Sequence, residues 1–259
     1  MIDHEVRFLT NSTIEVLKKK LKSEKILISK IPYKFVKDKN FQKDYIEYFL
    51  KAKKINEVYL RGLPLNEKNN YETQERQLME EFQKINHMLK KKLIVNQVMQ
   101  IPNPENIKFK DFEKIFLSIK KVKGFELISS WHNKKSNDKI YEKYLGFVNE
   151  LQMPLSIEVD YFFRDSLVSL ANFFNVIKKF PNIKYWLPHL GCGAFLHWDK
   201  ILNICEKSPS LMTSTVNYNL WADVLKLPYY RKISLKYASD HPFNSKSSIK
   251  IYNYWKNKF

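Results

Sequence analysis

Glycine and cysteine are both scarce in this chain, at five and two in 259 residues. The two thiols, Cys192 and Cys205, show no C-x-x-C spacing, so neither a disulfide framework nor a zinc ribbon is expected; that suits a reducing, cytoplasmic setting. Gly191 and Gly193 form a G-x-G with no third glycine at dinucleotide-binding spacing, and no Gly-rich phosphate loop occurs. No apolar run approaches the ~20 residues that cross a bilayer, so no membrane partner is expected. The opening Met1-Ile-Asp-His-Glu5 lacks the basic segment and apolar core of a secretion signal, again pointing to the cytoplasm.

Arginine is nearly as rare. It occurs only as Arg7, Arg61, Arg76, Arg164 and Arg231, so a net charge of +18 is carried almost wholly by lysine. Bidentate readout of phosphates and bases favours arginine, and the lysines are spread through helix-like segments such as Leu17-Lys-Lys-Lys-Leu21. A solvated basic surface is expected, with no nucleic-acid partner; attraction for small anionic substrates fits the same charge. What is abundant is core material, 44% hydrophobic and 15% aromatic residues, which excludes a disordered chain.

Apolar periodicity alternates between strand and helix along the chain. Strands are expected at 2–8, 56–64, 93–101, 124–130, 155–159, 184–188, 211–216 and 236–238, and helices at 14–22, 41–52, 74–89, 109–120, 139–151, 166–179, 198–206 and 247–255. Ser12 or Thr13 is placed to cap the first helix, and Lys25 to Ile31 is read as an insertion. Eight strands alternating with helices over 259 residues predict an α/β chain, a (β/α)8 TIM barrel forming a single domain over 1–259.

Two of these strands end abruptly in proton-active side chains followed by Gly or Pro. Ile183-Lys-Tyr-Trp-Leu-Pro-His-Leu-Gly191 ends at His189, and Tyr237-Ala-Ser-Asp-His-Pro-Phe243 ends at Asp240. Residues just past the C-terminal ends of barrel strands face the common mouth, where His189 and Asp240 would meet. Leu187-Pro-His-Leu-Gly191 followed by Ala238-Ser-Asp-His-Pro-Phe243 resembles the sixth-strand and eighth-strand signatures of the amidohydrolase superfamily, in its amidohydrolase-related branch of decarboxylases and lactone hydrolases.

The resemblance implies a divalent metal held by a first-strand His-x-His pair, at times a fourth-strand residue, a fifth-strand His and the eighth-strand Asp, with the sixth-strand His binding metal or substrate. Imidazole and carboxylate suit a borderline cation that activates water. Only His189 and Asp240 match. Against Ile-Asp-x-His-x-His, this chain has Ile2-Asp-His-Glu-Val-Arg7, so Glu5 and Arg7 replace both imidazoles, and Glu158 stands where the fifth-strand His is expected. His4 would substitute only after a one-residue slip of the strand, which would turn its side chains to the other face.

Arg7 is the most informative departure. Pointing inward, it would put a fixed positive charge where the metal lay; two unit charges 4 Å apart interact by about 4 kcal/mol at an effective dielectric of 20, before desolvation. No tightly bound cofactor is then expected. The reading favoured is a divergent hydrolase of an ester, lactone or amide bond in a small, anionic substrate. Asp240 is its general base, His189 and Arg7 stabilise the oxyanion, and Arg61, Glu158 and His132 are further substrate contacts. Two alternatives stay open. One is a catalytically inactive protein of the same fold that binds a ligand or another protein. The other keeps a weak divalent metal (Mn, Mg or Zn) on Glu5, Glu158, His189 and Asp240. For His132 a structural role is the commoner reading, and Arg7 with Glu158 could form a structural ion pair. His87, His197 and His241 are read as surface or packing residues, and Tyr161-Phe-Phe163 either walls the pocket or packs in the core. Relatives often self-associate, so a homo-oligomer is compatible with the chain.

Overall fold

The computed structural model describes residues 1–23, 41–65, 67–158, 166–188, 212–214, 234–239 and 245–257. Its strands are β1 (Ile2–Arg7), β2 (Glu57–Arg61), β3 (Ile94–Gln100), β4 (Val122–Leu127), β5 (Pro154–Ile157), β6 (Lys184–Leu187), β7 (Met212–Ser214) and β8 (Ser234–Lys236), hydrogen-bonded in chain order. The pairings β1–β2, β4–β5, β5–β6, β6–β7 and β7–β8 are parallel. The helices are α1 (Asn11–Ser23), α2 (Phe41–Lys51), α3 (Lys68–Met88), α4 (Phe109–Ser118), α5 (Glu142–Glu150), α6 (Ser166–Lys179) and α7 (Ser245–Trp255). A parallel pair needs a crossover, and helices supply it. No described helix is long and apolar enough to cross a membrane. The chain divides into two compact units, 1–97 with 237–259, and 98–236.

In the first unit, α3 buries Tyr71, Gln74, Glu75, Leu78, Glu81, Phe82 and Ile85, the three-and-four spacing of one helical face. Phe8, just past β1, packs on Tyr45 of α2 at 5.0 Å and edge-on to Phe82 of α3 at 5.3 Å. The Glu81 carboxylate accepts from Asn11 N (2.9 Å), placing negative charge at the start of α1. Thr10, not Ser12 or Thr13, caps that helix, its Oγ1 accepting from Thr13 N at 3.2 Å. The carbonyl of Tyr237, the residue after β8, accepts from His4 N of β1 (3.0 Å).

In the second unit, Phe125 of β4 meets Phe112 and Phe116 of α4 and Phe147 of α5, with centroids 5.8, 5.4 and 6.4 Å away. Tyr185 of β6 packs edge-on to Phe173 of α6 at 5.9 Å. These contacts mark the helix-covered face, so the alternate residues Glu126, Ser156 and Trp186, aligned by register, lie on the opposite face.

The expected elements that fall on described residues are present with shifted ends. Helix α3 begins six residues before position 74, at Lys68; β4 ends at Leu127, and Ser129–His132 is a 3-10 turn rather than strand. Strand β8 covers Ser234–Lys236, two residues earlier than expected. The expected insertion at 25–31 and helix at 198–206 lie outside the described residues.

Candidate functional site

Among the described residues of the first unit, buried charges gather at the ends of the first two strands. Register sets Arg7 directly beside Arg61, and they are 3% and 1% exposed. Arg7 Nη2 lies 3.5 Å from Oε1 of the fully buried Glu5. Arg61 Nη2 donates to the His4 carbonyl (3.2 Å), and Tyr45 Oη donates to the Arg7 carbonyl (2.8 Å). Two guanidinium forks thus stand at adjacent strand ends, both buried.

A bulge in β1 creates this arrangement. Ile2 and Asp3 pair with Glu57 and Val58, whereas Val6 and Arg7 pair with Leu60 and Arg61, so His4 and Glu5 together oppose Tyr59. The phase of the strand therefore changes midway. Asp3 shares a face with Val6, whose partners Val58 and Leu60 are two apart, and that face meets the helices; Arg7 lies on the other face with Arg61. The one-residue slip considered for His4 is thus present inside the strand. His4 is half-buried with its ring stacked on Tyr59 (5.0 Å, 16°), so that imidazole already packs on an aromatic face.

Asp3 is a residue that the sequence reading passed over as part of the motif. It is fully buried, accepts from Ser239 N (3.0 Å) and Glu5 N (3.3 Å) at Oδ1, and from Tyr48 Oη (2.8 Å) at Oδ2. Burial pushes its carboxyl up to about 6, against the partial relief of these hydrogen bonds. Tyr48 and Tyr237, 2.9 Å apart through their hydroxyls, are held well above the usual phenol range by the same burial.

Gln74 and Glu75 form a second polar cluster. Gln74 Oε1 accepts from Leu63 N (3.0 Å) and Thr13 Oγ1 (2.8 Å) while its Nε2 donates to the Leu63 carbonyl (2.7 Å), bracing the loop after β2. Glu75 Oε2 accepts from Gln97 Nε2 at 2.8 Å. A Cβ on Gly62 would collide with Gln74 Nε2, so glycine is what lets the amide approach.

In the second unit, the face of β4–β6 turned from the helices carries Glu126, Ser156 and Trp186. Gln100 of β3 donates to Glu126, both fully buried, and Glu158 N continues the ladder onto the Leu127 carbonyl (3.1 Å). Alternation from Ser156 puts the half-buried Glu158 on this same polar face. Ser156 Oγ has no hydrogen-bond partner among the described residues. His132, in the turn after β4, is 4% exposed, with Nδ1 2.7 Å from Tyr141 Oη and Nε2 without a partner among the described residues. Burial lowers its pKa to about 4, so the imidazole is neutral at ordinary pH.

The structure thus brings Glu5, Arg7 and Arg61 together in one unit and places Glu158 and His132 in the other. His189 and Asp240 lie outside the described residues: β6 ends at Leu187, and Ser239, fully buried, directly precedes Asp240 in the chain. Beyond Asp3, the residues that sequence reasoning missed are Gln74, Glu75, Gln100, Glu126 and Tyr141. The signal for Gln100 and Glu126 was present, since each interrupts an apolar strand run.

Among the described residues no group of three or more His, Cys, Asp or Glu converges as a metal site. At the β1 end the carboxylate of Glu5 lies 3.5 Å from the Arg7 guanidinium, whose charge works against a divalent cation on that oxygen.

By sequence the chain matches no family model and no curated protein. By structure it is similar to a 5-carboxyvanillate decarboxylase from Novosphingobium aromaticivorans, complexed with manganese and 4-hydroxy-3-methoxy-5-nitrobenzoic acid, at 11% identity. The TM-score is 0.68, over 96% of this chain and 88% of that one. A TIM-barrel protein from Bordetella bronchiseptica scores 0.64 at 11% identity, over 100% and 91%. An amidohydrolase II structure scores 0.60 at 13% identity, over 96% and 90%. The fold of this chain is the one shared by these amidohydrolase and decarboxylase structures.

Proposed function

We propose that this chain is a divergent enzyme of amidohydrolase fold that hydrolyses an ester, lactone or amide bond in a small anionic substrate. The observation that carries the reading is the pair Arg7 and Arg61, buried side by side at the ends of β1 and β2. Glu5 stands at ion-pair distance from Arg7, and Arg61 sets a second planar fork of donors beside it. In this reading the Arg61 fork holds the substrate carboxylate through two parallel hydrogen bonds.

In this reading the strands close into a (β/α)8 barrel, which the eight strands in chain order and the His4–Tyr237 hydrogen bond support. Asp240 takes the proton from the attacking water, His189 with Arg7 stabilises the oxyanion that forms on the carbonyl oxygen, and as the intermediate collapses the C–O or C–N bond breaks while Asp240 returns its proton to the leaving oxygen or nitrogen. His132 and Glu158 supply polar contacts to the substrate. No step is assigned to a metal: Glu5 on β1 lies against the Arg7 guanidinium, which in this reading supplies the positive charge.

The test is a screen of purified protein against esters, lactones and amides that carry a carboxylate, with Asp240→Asn and His189→Ala as controls. Hydrolysis lost in both variants supports the assignment. Activity unchanged in both removes the site, and no turnover with any substrate favours the second reading, an inactive ligand-binding protein. The buried Glu5–Arg7 pair favours that second reading too, because a charge satisfied within the protein needs no catalytic task.

A further inference from the structure

We infer that Asp3 is a positioning residue: its carboxylate ties the β1 bulge to Ser239 and so sets Arg7 beside Arg61. The catalytic meaning of this role rests on the function proposed above, but the geometry stands without it. A bulge needs a reason to sit where it does, because an extra residue disrupts the ladder and leaves backbone groups unpaired. Here one oxygen supplies that reason. Asp3 Oδ1 accepts from Glu5 N, two residues ahead (3.3 Å), closing the bulged turn on itself, and from Ser239 N on the segment after β8 (3.0 Å).

Ser239 returns the contact, its Oγ donating to the Glu5 carbonyl (3.4 Å), so both backbone groups of Glu5 are anchored from the Asp3–Ser239 pair. The second carboxylate oxygen is fixed by Tyr48 of α2, whose single hydroxyl proton goes to Oδ2 (2.8 Å); the Tyr237 hydroxyl must then be the donor in the 2.9 Å bond between the two phenols. Without the bulge, Arg7 would fall one register position past Arg61, and its side chain would turn to the helix-covered face. One buried carboxylate thus holds the phase shift that delivers the guanidinium, and it grips the residue that precedes Asp240 in the chain.

The test compares Asp3→Ala with Asp3→Asn. The asparagine keeps an Oδ1 acceptor for both amides and can donate from Nδ2 to the Tyr48 oxygen, so it rescues what alanine loses. NMR spectra of the Arg7 Nε–H and the Glu5 and Ser239 amides should be displaced in Asp3→Ala and return close to wild-type positions in Asp3→Asn. Arg7 signals unchanged in a folded Asp3→Ala protein, or displaced equally in both variants, would overturn the inference. If Asp3→Ala does not fold, hydrogen exchange in the wild type decides: slow exchange at both Glu5 and Ser239 amides is expected, and fast exchange at either contradicts the tie. Displacement and rescue in a protein that never turns over any substrate would uphold Asp3 and refute the enzyme instead.

Discussion

The end of the β1–β2 pair and the turn after β4 are both buried, yet they treat charge in opposite ways. At the first, Arg7, Arg61 and Glu5 bring full charges into the interior. At the second, burial keeps His132 neutral, and its only described side-chain partner is the Tyr141 hydroxyl. A permanent cation is suited to fixing an anionic group whatever the pH. A neutral imidazole with Nε2 unoccupied among the described residues is suited to a single directed hydrogen bond.

The largest effect expected from this contrast is at Arg7. Replacing it in Arg7→Met takes the guanidinium from beside a fully buried carboxylate, and breaking such a pair costs about 3–5 kcal/mol in urea denaturation. Adding Glu5→Gln should recover much of that loss. A single variant as stable as the wild type would mean that the pair carries little.

Next comes the pH response of Asp3. Its folded pKa of about 6 lies above the ordinary carboxyl value of 3.8, so between these values the folded state binds more protons than the unfolded one. The stability this carboxyl contributes is therefore complete below about 4 and lost as pH rises through 6. Relative to Asp3→Asn, the wild type should lose on the order of 3 kcal/mol between pH 4 and 7.5, by paired denaturation curves. A difference that stays flat with pH would show that Asp3 is not buried as described.

Smaller effects separate packing from charge. Gly62→Ala would push a methyl group into Gln74 Nε2, which is held by the Leu63 carbonyl and cannot swing aside freely. A loss of about 2 kcal/mol is expected by thermal denaturation. Tyr141→Phe removes the partner of His132 Nδ1 and should cost about 1 kcal/mol, with a change in the imidazole nitrogen shifts that reports the new tautomer. Unchanged nitrogen shifts would show that the tyrosine does not orient the ring.

The alternation of strands and helices was legible because it is local. Helix α6 spans Ser166–Lys179, the range that periodicity alone indicates, and all eight strands fall within or beside their apolar runs. The start of α3 was not legible, since Lys68-Asn-Asn70 is polar and only Tyr71 begins the buried stripe. The change of cap to Thr10 depends on three hydroxyls within four residues, among which only geometry chooses.

The candidate site was legible in residue type and opaque in arrangement. Glu5 and Arg7 stand out as departures from the resembled first-strand motif and Arg61 as the charge before Gly62, and all three are buried. The bulge that aligns the two arginines depends on pairing with β2, some fifty residues away, and leaves no mark on the β1 sequence. Asp3, Gln74 and Glu75 look like surface residues by type, because the partners that make their burial tolerable are distant in the chain.

In the proposed function the Arg7 guanidinium supplies the positive charge of the site in place of a tightly bound metal. Elemental analysis of protein purified without chelator tests it most directly. Well under a tenth of an equivalent of manganese or zinc is the expected result, with Arg7→Met raising the content by relieving the repulsion. About one equivalent in the wild type, unchanged by Arg7→Met, would contradict it.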